Sequence, residues 1–214
     1  MKSITGEIIS INVGTPTEFE YKGRQAKSSI WKDPVDGKVF AHGINLEGDQ
    51  QADLQAHGGY HKAVYAYAIE DLIWWGNEIG RNILPGEFGE NLTLQNVDTN
   101  NALIGERWKI AETILEVSEP RIPCWRFGVK MNDKTFPKKF TKALRPGSYL
   151  RIIEEGEIEK GDYVEVIYRP SHSITIRDVF EIYTLDHANA DKLLGLTHIS
   201  DSWKNWASSL HLNK

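Results

Sequence analysis

Short runs of apolar and β-branched residues, separated by glycine, proline and polar turns, fill most of the first 170 residues and predict many short strands. One run covers residues 4–13, and another covers residues 61–69 and is rich in valine and tyrosine. Residues 147–169 are expected to form a pair of strands, with a turn at Gly161 and Asp162 before the second one. Strands at such close spacing indicate a barrel or a compact, strongly bent sheet.

Helical spacing of apolar positions occurs in fewer segments. It predicts a helix over residues 70–80 that stops at Gly80, and a short helix within residues 133–144. Three further short helices are expected after residue 170, the first of them capped by Ser173 and the last by Ser200 or Asp201.

The predicted fold class is therefore α+β, mostly β. A barrel-like domain is expected in residues 1–170 and a small helical appendage in residues 171–214. So short a helical segment is marginal as an independent unit, so we expect it to pack on the barrel. No G-x-G-x-x-G motif follows a predicted strand and no P-loop is present, which disfavours a doubly wound nucleotide-binding fold.

Composition narrows the function classes. The chain is 40% hydrophobic and 26% charged, with a formal net charge of -5, so neither a nucleic-acid partner nor a membrane partner is expected. The basic stretch in residues 134–145 is interpreted as a solvated helix face. No run of 18 uninterrupted apolar residues and no signal peptide is found, and one cysteine allows no internal disulfide, which together predict a cytoplasmic protein.

That single cysteine, Cys124, stands in the segment SEPRIPCWRFG between Arg121 and Arg126. Neighbouring cations lower a thiol pKa, and Pro123 stiffens the chain before the thiol. Unpaired cysteines are nevertheless among the most buried residues and often act as small hydrophobes. Local spacing leaves a reactive or metal-ligating thiol and a buried apolar one both open.

Two other segments carry candidate chemistry. In AHGGYHKAVYAY, the two glycines after His57, Gly58 and Gly59, allow close approach of the backbone to an anion, and Lys62 adds a positive charge. The alternative is a sharp turn, and no third ligand accompanies His57 and His61 for a metal.

In PGEFGENLTL, Glu90 and Asn91 stand at the entrance to a predicted strand, where side chains can face a pocket. Asn91 has donors and an acceptor suited to a heterocycle edge, and its alternative role is to satisfy its own loop.

Together these three segments, in their order and approximate spacing, resemble the MOSC domain, named from the C-terminal part of molybdenum cofactor sulfurases. The resemblance covers about residues 45–165. Residues 173–212 resemble the three-helix extension of one bacterial branch, associated with resistance to 6-N-hydroxylaminopurine and with reduction of N-hydroxylated compounds.

The resemblance implies a role for each motif. Cys124 would be the catalytic residue and the ligand of molybdenum, or the carrier of sulfur. Residues of all three motifs would bind the pterin: His57, Gly58, Gly59, Lys62, Phe88, Gly89, Glu90, Asn91 and Arg121. The chain departs from the family at His61, where an acidic residue is common.

The implied function is that of a molybdenum-cofactor oxidoreductase that reduces hydroxylaminopurines, amidoximes or similar N-hydroxylated substrates. A separate protein would donate electrons, since one cysteine cannot build a four-cysteine iron–sulfur cluster. The alternatives are a non-catalytic carrier of the cofactor or of sulfur on Cys124, and an interaction domain with a buried cysteine. Pyridoxal phosphate is not expected, and the chain would be a monomer or a homodimer.

Overall fold

The computed structural model describes residues 5–52 and 58–211. The strands are β1 Thr5–Val13, β2 Thr17–Tyr21, β3 Arg24–Ser28, β4 Asp33–Val35, β5 Val39–His42, β6 Asn45–Leu46, β7 Val64–Ala68, β8 Leu92–Gln95, β9 Arg107–Ile110, β10 Thr113–Pro120, β11 Ser148–Glu154, β12 Gly156–Ile158 and β13 Tyr163–Tyr168. The α-helices are α1 Ile69–Ile79, α2 Trp125–Lys130, α3 Phe136–Ala143, α4 Ile176–Thr184 and α5 Asp201–His211. Two 3₁₀ helices cover Tyr60–Lys62 and His187–Leu193.

Seven strands close into a barrel in the order β13, β9, β10, β11, β7, β8 and β1, with β1 pairing back to β13. Strand β1 is long enough to pair with β13 at its start and with β4 at its end. Neighbouring strands are antiparallel apart from β7 and β8, the one parallel pair among the described strands. The expected mostly β, barrel-like fold is therefore confirmed.

The barrel interior is filled by apolar side chains from alternate strand positions. Trp108 and Ile110 of β9 are fully buried, whereas the two residues that alternate with them are partly exposed. This alternation is expected of strands with one face in a core. All five residues of β7 are buried instead, because its outer face is also covered.

That cover is an aromatic cluster between β7 and the helices α1 to α3. Phe88 lies at its centre, with its ring 5.3 Å from Tyr67, 5.1 Å from Phe127 and 6.0 Å from Phe140. The ring of Trp75 stacks on Phe140 at 6.0 Å. These contacts hold α2, which directly follows Cys124, against the barrel wall.

The C-terminal helices share the barrel's apolar core. Their buried side chains belong to the same cluster as the interior of the barrel: Ile176, Val179, Leu193, Trp203 and Ala207. The backbone N–H of Ile176 also donates to the carbonyl of Ala102. The expectation that the helical segment packs on the barrel agrees with these contacts, and the domain division at residue 170 stays a prediction.

Several local predictions need correction. The segment 147–169 contains three strands, and its two long ones, β11 and β13, are separated in the barrel by β10 and β9. Strand β12 leaves the barrel to pair with β5, so the supposed strand pair does not form.

The cap of α4 is Thr175, which forms a capping box with Asp178, and is not Ser173. Helix α2 and the hairpin β2–β3 were not predicted, since both are short and carry mixed patterns. Within the described ranges, each helix is too short or too polar to cross a bilayer.

Candidate functional site

A cleft of about 750 Å³, part of which is open solvent, lies on one side of the barrel. Its walls come from β3, the loop after β6, the start of β7, the loop before β8, the start of β11 and the segment after β10. Polar and charged side chains from these six segments line it: Lys27, Ser28, Ser29, Lys32, Asp49, Gln51, Lys62, Tyr65, Asn91, Arg121, Cys124, Arg126 and Tyr149. The cleft thus gathers residues that are far apart in the sequence.

Cys124 lies at the junction between β10 and α2. Its backbone is extended, with φ -120° and ψ 173°, and its carbonyl accepts a 3.0 Å hydrogen bond from the N–H of Phe127. Phe127 is fully buried in the aromatic cluster, so its packing anchors the first turn of α2, directly after the thiol. The cysteine is partly exposed and lines the cleft, which argues against the buried apolar interpretation.

Arg121 lies at the base of the cleft. Its guanidinium donates to the carbonyl of Phe88 and lies 4.0 Å from the ring centroid of Phe127 and 5.1 Å from that of Tyr65. The side chain is only 7% exposed, so its charge acts in a medium of low polarity. The charge opposes the effect of burial on Tyr149, where burial raises the phenol pKa to about 12. Tyr149 is therefore a protonated hydrogen-bond donor at neutral pH.

Positive charge predominates in the cleft. Within residues 5–52 and 58–211, five cationic side chains and one carboxylate line it: Lys27, Lys32, Lys62, Arg121, Arg126 and Asp49. Two of the cations are neutralised within the fold, because Lys32 pairs with Asp49 and Lys62 lies 3.0 Å from the carboxylate of Glu119. Lys27, Arg121 and Arg126 form no ion pair with the described residues, which leaves an uncompensated positive charge suited to an anion.

Two polar atoms of the cleft wall are also without hydrogen-bond partners among the described residues. They are the buried Nε of Arg126 and the buried hydroxyl of Ser29. Buried polar groups are nearly always hydrogen-bonded in native proteins, so an unsatisfied one requires an explanation.

The segment around Phe88 and Asn91 shapes the cleft more than it lines it. Phe88 and Glu90 are fully buried beneath the surface, while Gly89 and Asn91 reach the cleft. The Glu90 carboxylate accepts the N–H groups of Gly86 at 2.6 Å and Phe88 at 3.0 Å, so it fixes the loop. Burial raises the pKa of Glu90, and these hydrogen bonds act in the opposite direction.

Asn91 is already engaged by the fold. Its side-chain oxygen accepts the N–H of Tyr65 at 3.0 Å, and its amide nitrogen donates to Asp49 at 2.9 Å and to the carbonyl of Asn12 at 3.2 Å. Both amide hydrogens are thus used within the protein. These partners belong to other segments and not to the loop of Asn91 itself: the side chain joins β7 to β1 and orients Asp49, which in turn pairs with Lys32.

The two glycines after His57 support a neighbouring side chain. The N–H of Gly59 donates to the side-chain oxygen of Gln51 at 2.6 Å, and a Cβ at Gly58 would lie 2.2 Å from the same oxygen. Gln51 lines the cleft, whereas Gly58 and Gly59 do not. His57 lies outside the described residues.

His61, the departure from the family pattern, faces a different set of groups. Its Nδ1 accepts a 2.8 Å hydrogen bond from Arg151, which also binds the buried Glu116 at 2.5 Å. Burial, assisted by the charge of Arg151, lowers the pKa of His61. Its neighbour Lys62 does line the cleft.

Of the residues proposed from the sequence, five line this cleft: Lys62, Gly89, Asn91, Arg121 and Cys124. Sequence reasoning missed Lys27, Lys32, Gln51 and Tyr149, and it gave Asp49 no role. No motif marks these residues, since only the tertiary structure brings the hairpin β2–β3, the barrel strand β11 and the loop after β6 to the same cleft.

A closed barrel with a cationic cleft, and a cysteine at a strand-to-helix junction in that cleft, defines a class of small protein with a thiol beside clustered positive charge. The family model of the MOSC domain matches residues 53–165, more than half of the chain. The chain belongs to the MOSC domain family, as its motifs suggested.

Individual relatives agree with this assignment over most of the chain. YflK of Bacillus subtilis is 32% identical over 207 residues, which are 95% of this chain and 94% of YflK. The crystal structure of YiiM from Geobacillus stearothermophilus superimposes with a TM-score of 0.79 at 27% identity, covering 95% of this chain and 98% of that one. A protein of Gibberella moniliformis named "Reductase" is 29% identical over 181 residues, which are 83% of this chain and 32% of that protein.

Proposed function

We propose that the protein is a molybdenum-cofactor reductase of N-hydroxylated compounds, with Cys124 as the protein ligand of molybdenum. The observation that carries this proposal is that the only cysteine of the chain lines a cleft with excess positive charge. The family supports a cofactor-associated role, and the similarity to part of a protein named "Reductase" supports redox chemistry.

The chemistry of the cleft fits such a group. A thiolate is a soft ligand that suits a soft metal, and Lys27, Arg121 and Arg126 suit the phosphate of a pterin cofactor. The described residues hold no cluster of three histidine, cysteine or carboxylate side chains that could bind a metal alone. A metal held by Cys124 would need ligands from outside these residues, and a pterin dithiolene would supply them.

The chain's own part is to bind and orient. When bound, the cofactor supplies the oxidation and reduction chemistry that cleaves the N–O bond. Cys124 sets the position of the reacting centre, since the junction between β10 and α2 is anchored by Phe127. Tyr149 keeps its proton and can donate it in a hydrogen bond to a group in the cleft. Asn91, Asp49 and Lys32 maintain the opposite wall through their mutual contacts.

Electrons for the reduction would come from a separate donor protein, because Cys124 is the only cysteine available for any thiolate-bound redox centre. The substrate class, hydroxylaminopurines and amidoximes, is part of the same proposal. The mode of electron delivery is tested by supplying an artificial donor in place of the partner.

The first test is the metal and pterin content of protein purified from a host that makes the cofactor. We expect wild-type protein to retain molybdenum and pterin in equal amounts, and Cys124→Ala to lose the metal while keeping its circular dichroism spectrum and unfolding midpoint. Ser173→Ala, which removes one exposed side-chain oxygen elsewhere, is the matched control and should retain both.

The second test is reduction of 6-hydroxylaminopurine by the loaded protein with an artificial donor. Folded wild-type protein without molybdenum or pterin would contradict the proposal. Protein that retains the cofactor and reduces no N-hydroxylated compound would instead be a non-catalytic carrier.

A further inference from the structure

A second pocket opens beside the cleft, on the outer side of Cys124. It lies between the hairpin β2–β3 and the first turn of α2, and its main lining residues are Tyr21, Lys22, Arg24, Lys27, Trp125 and Arg126. Lys27 and Arg126 line both pockets, so the two spaces are contiguous. A ligand that reaches Cys124 from solvent can extend into this outer pocket.

The outer pocket is strongly cationic. Four of its lining residues are lysine or arginine, and none of the lining residues that the structure describes is acidic, in a chain whose net charge is -5. None of the four forms an ion pair with a residue in the described part of the chain. The two carboxylates of the hairpin, Glu18 and Glu20, do not line the pocket. Clustered cations without counter-charges repel one another, and an anion relieves that repulsion.

Aromatic rings lie between these cations. The rings of Tyr21 and Trp125 stack with centroids 4.6 Å apart and planes 22° from parallel. Lys22 lies 5.3 Å from the Tyr21 centroid and Arg126 lies 4.9 Å from the Trp125 centroid. Trp125, the residue next to Cys124, is 40% exposed. Exposed aromatic rings interleaved with cations are how proteins bind nucleobases that carry phosphates.

We infer that the outer pocket binds the phosphate of a purine nucleotide, so that the preferred substrate is an N-hydroxylated nucleoside monophosphate and not the free base. This inference rests on the proposed function, which puts the N-hydroxylated base at Cys124. The phosphate of the pterin would occupy the cations of the inner cleft, and those of the hairpin, Lys22 and Arg24, remain for a second phosphate. The purine base then lies against the exposed ring of Trp125, with its N-hydroxylated edge toward Cys124.

Isothermal titration of the full-length protein at low salt tests the binding step with AMP, adenosine and inorganic phosphate as probes. Because charge-assisted hydrogen bonds are strong, we expect AMP to bind at least about tenfold more tightly than adenosine or phosphate. The double variant Lys22→Gln/Arg24→Gln should lose most of the advantage of AMP over adenosine. The double variant Lys134→Gln/Lys138→Gln removes the same charge from two exposed positions outside the pocket and should keep that advantage.

Kinetics of the loaded protein test the substrate assignment. The kcat/KM for the monophosphate of 6-hydroxylaminopurine riboside should exceed that for the free base by about tenfold, and the Lys22→Gln/Arg24→Gln variant should bring the two values together. Equal affinities for AMP and adenosine, or equal kcat/KM for nucleotide and base, would overturn the inference and leave the proposed function standing.

Two further outcomes separate the sources of the phosphate. If neither compound is reduced while AMP still binds through Lys22 and Arg24, the proposed function fails and the nucleotide site stands. If mild acid hydrolysis of the cofactor extracted from loaded protein releases a nucleoside monophosphate, the pocket belongs to the cofactor and the substrate assignment is overturned.

Discussion

Lys130 makes the stability of the protein depend on pH in a way that the structure determines. It lies at the end of α2, and its ammonium donates to the carbonyl of Ile30 at 2.6 Å and to that of Gly86 at 2.8 Å. It therefore ties the helix after Cys124 to the loop after β3 and to the loop before β8, which pack against each other. Burial lowers its pKa from 10.5 to about 8, and the nearby charge of Glu90 acts in the opposite direction.

The magnitude follows from the linkage between proton binding and folding. Between about pH 8 and pH 10.5 the unfolded chain keeps the Lys130 proton and the folded chain has released it. The free energy of unfolding therefore rises with pH, by at most about 1.4 kcal/mol per pH unit and by about 3 kcal/mol over the interval. Below pH 8 the buried ammonium of Lys130 lowers the free energy of unfolding by its full amount, and this effect disappears above the pKa of Lys130 in the unfolded chain.

The variant Lys130→Met removes this titration. Urea unfolding of both proteins at pH 7.5, 8.5 and 9.5 should show the wild type gaining about 2 kcal/mol relative to the variant across that range. Taking the difference cancels the titration of groups common to both. Lys134→Met, a change of the same kind at an exposed position of the sequence, should follow the wild-type curve. Parallel curves for the wild type and Lys130→Met would refute the reasoning.

Two further predictions concern the walls of the cleft. Phe88→Ala should lower the free energy of unfolding by about 3–5 kcal/mol, because the ring is fully buried. The control Phe40→Ala, at a side chain that is 39% exposed, should lower it by less than about 1 kcal/mol. Similar losses for the two variants in urea denaturation would contradict the packing described for Phe88. Gly89 (φ 78°) and Gly23 (φ 71°) both have positive φ. A Cβ added at Gly89 would lie 2.9 Å from a side-chain carbon of Ile30, whereas a Cβ added at Gly23 would have no atom within 4 Å. Gly89→Ala should thus cost about 1–3 kcal/mol more than Gly23→Ala, and equal costs would show that the loop relaxes freely.

Local patterns predicted the secondary structure well where a single physical signal dominates. The apolar period of residues 70–80 predicted α1, and Gly80 ends it in the left-handed conformation with φ 72°. The turn between β9 and β10 is likewise local, and Ala111 in it has φ 49°. Such features depend on neighbours in the sequence, so they can be read without knowledge of the fold.

Strand partners could not be predicted in the same way. Residues 147–169 have the pattern of a hairpin, but β11 pairs with β10 and β7, and β13 pairs with β9 and β1. Which strands pair is decided by closure of the barrel, because each of its seven strands must find a partner on both sides. Nothing within the segment encodes that choice.

The candidate site divides along the same line. The motifs of the family singled out Cys124 and Arg121 in the sequence, where the local spacing of cysteine and cations had left the role of the thiol open. Only the tertiary structure decided that the Asn91 amide is hydrogen-bonded within the protein and that Lys32 is neutralised by Asp49. It also decided which cations remain for an anion. The physical reason is that net charge in a cleft is a sum over side chains brought together by packing, and no local pattern contains that sum.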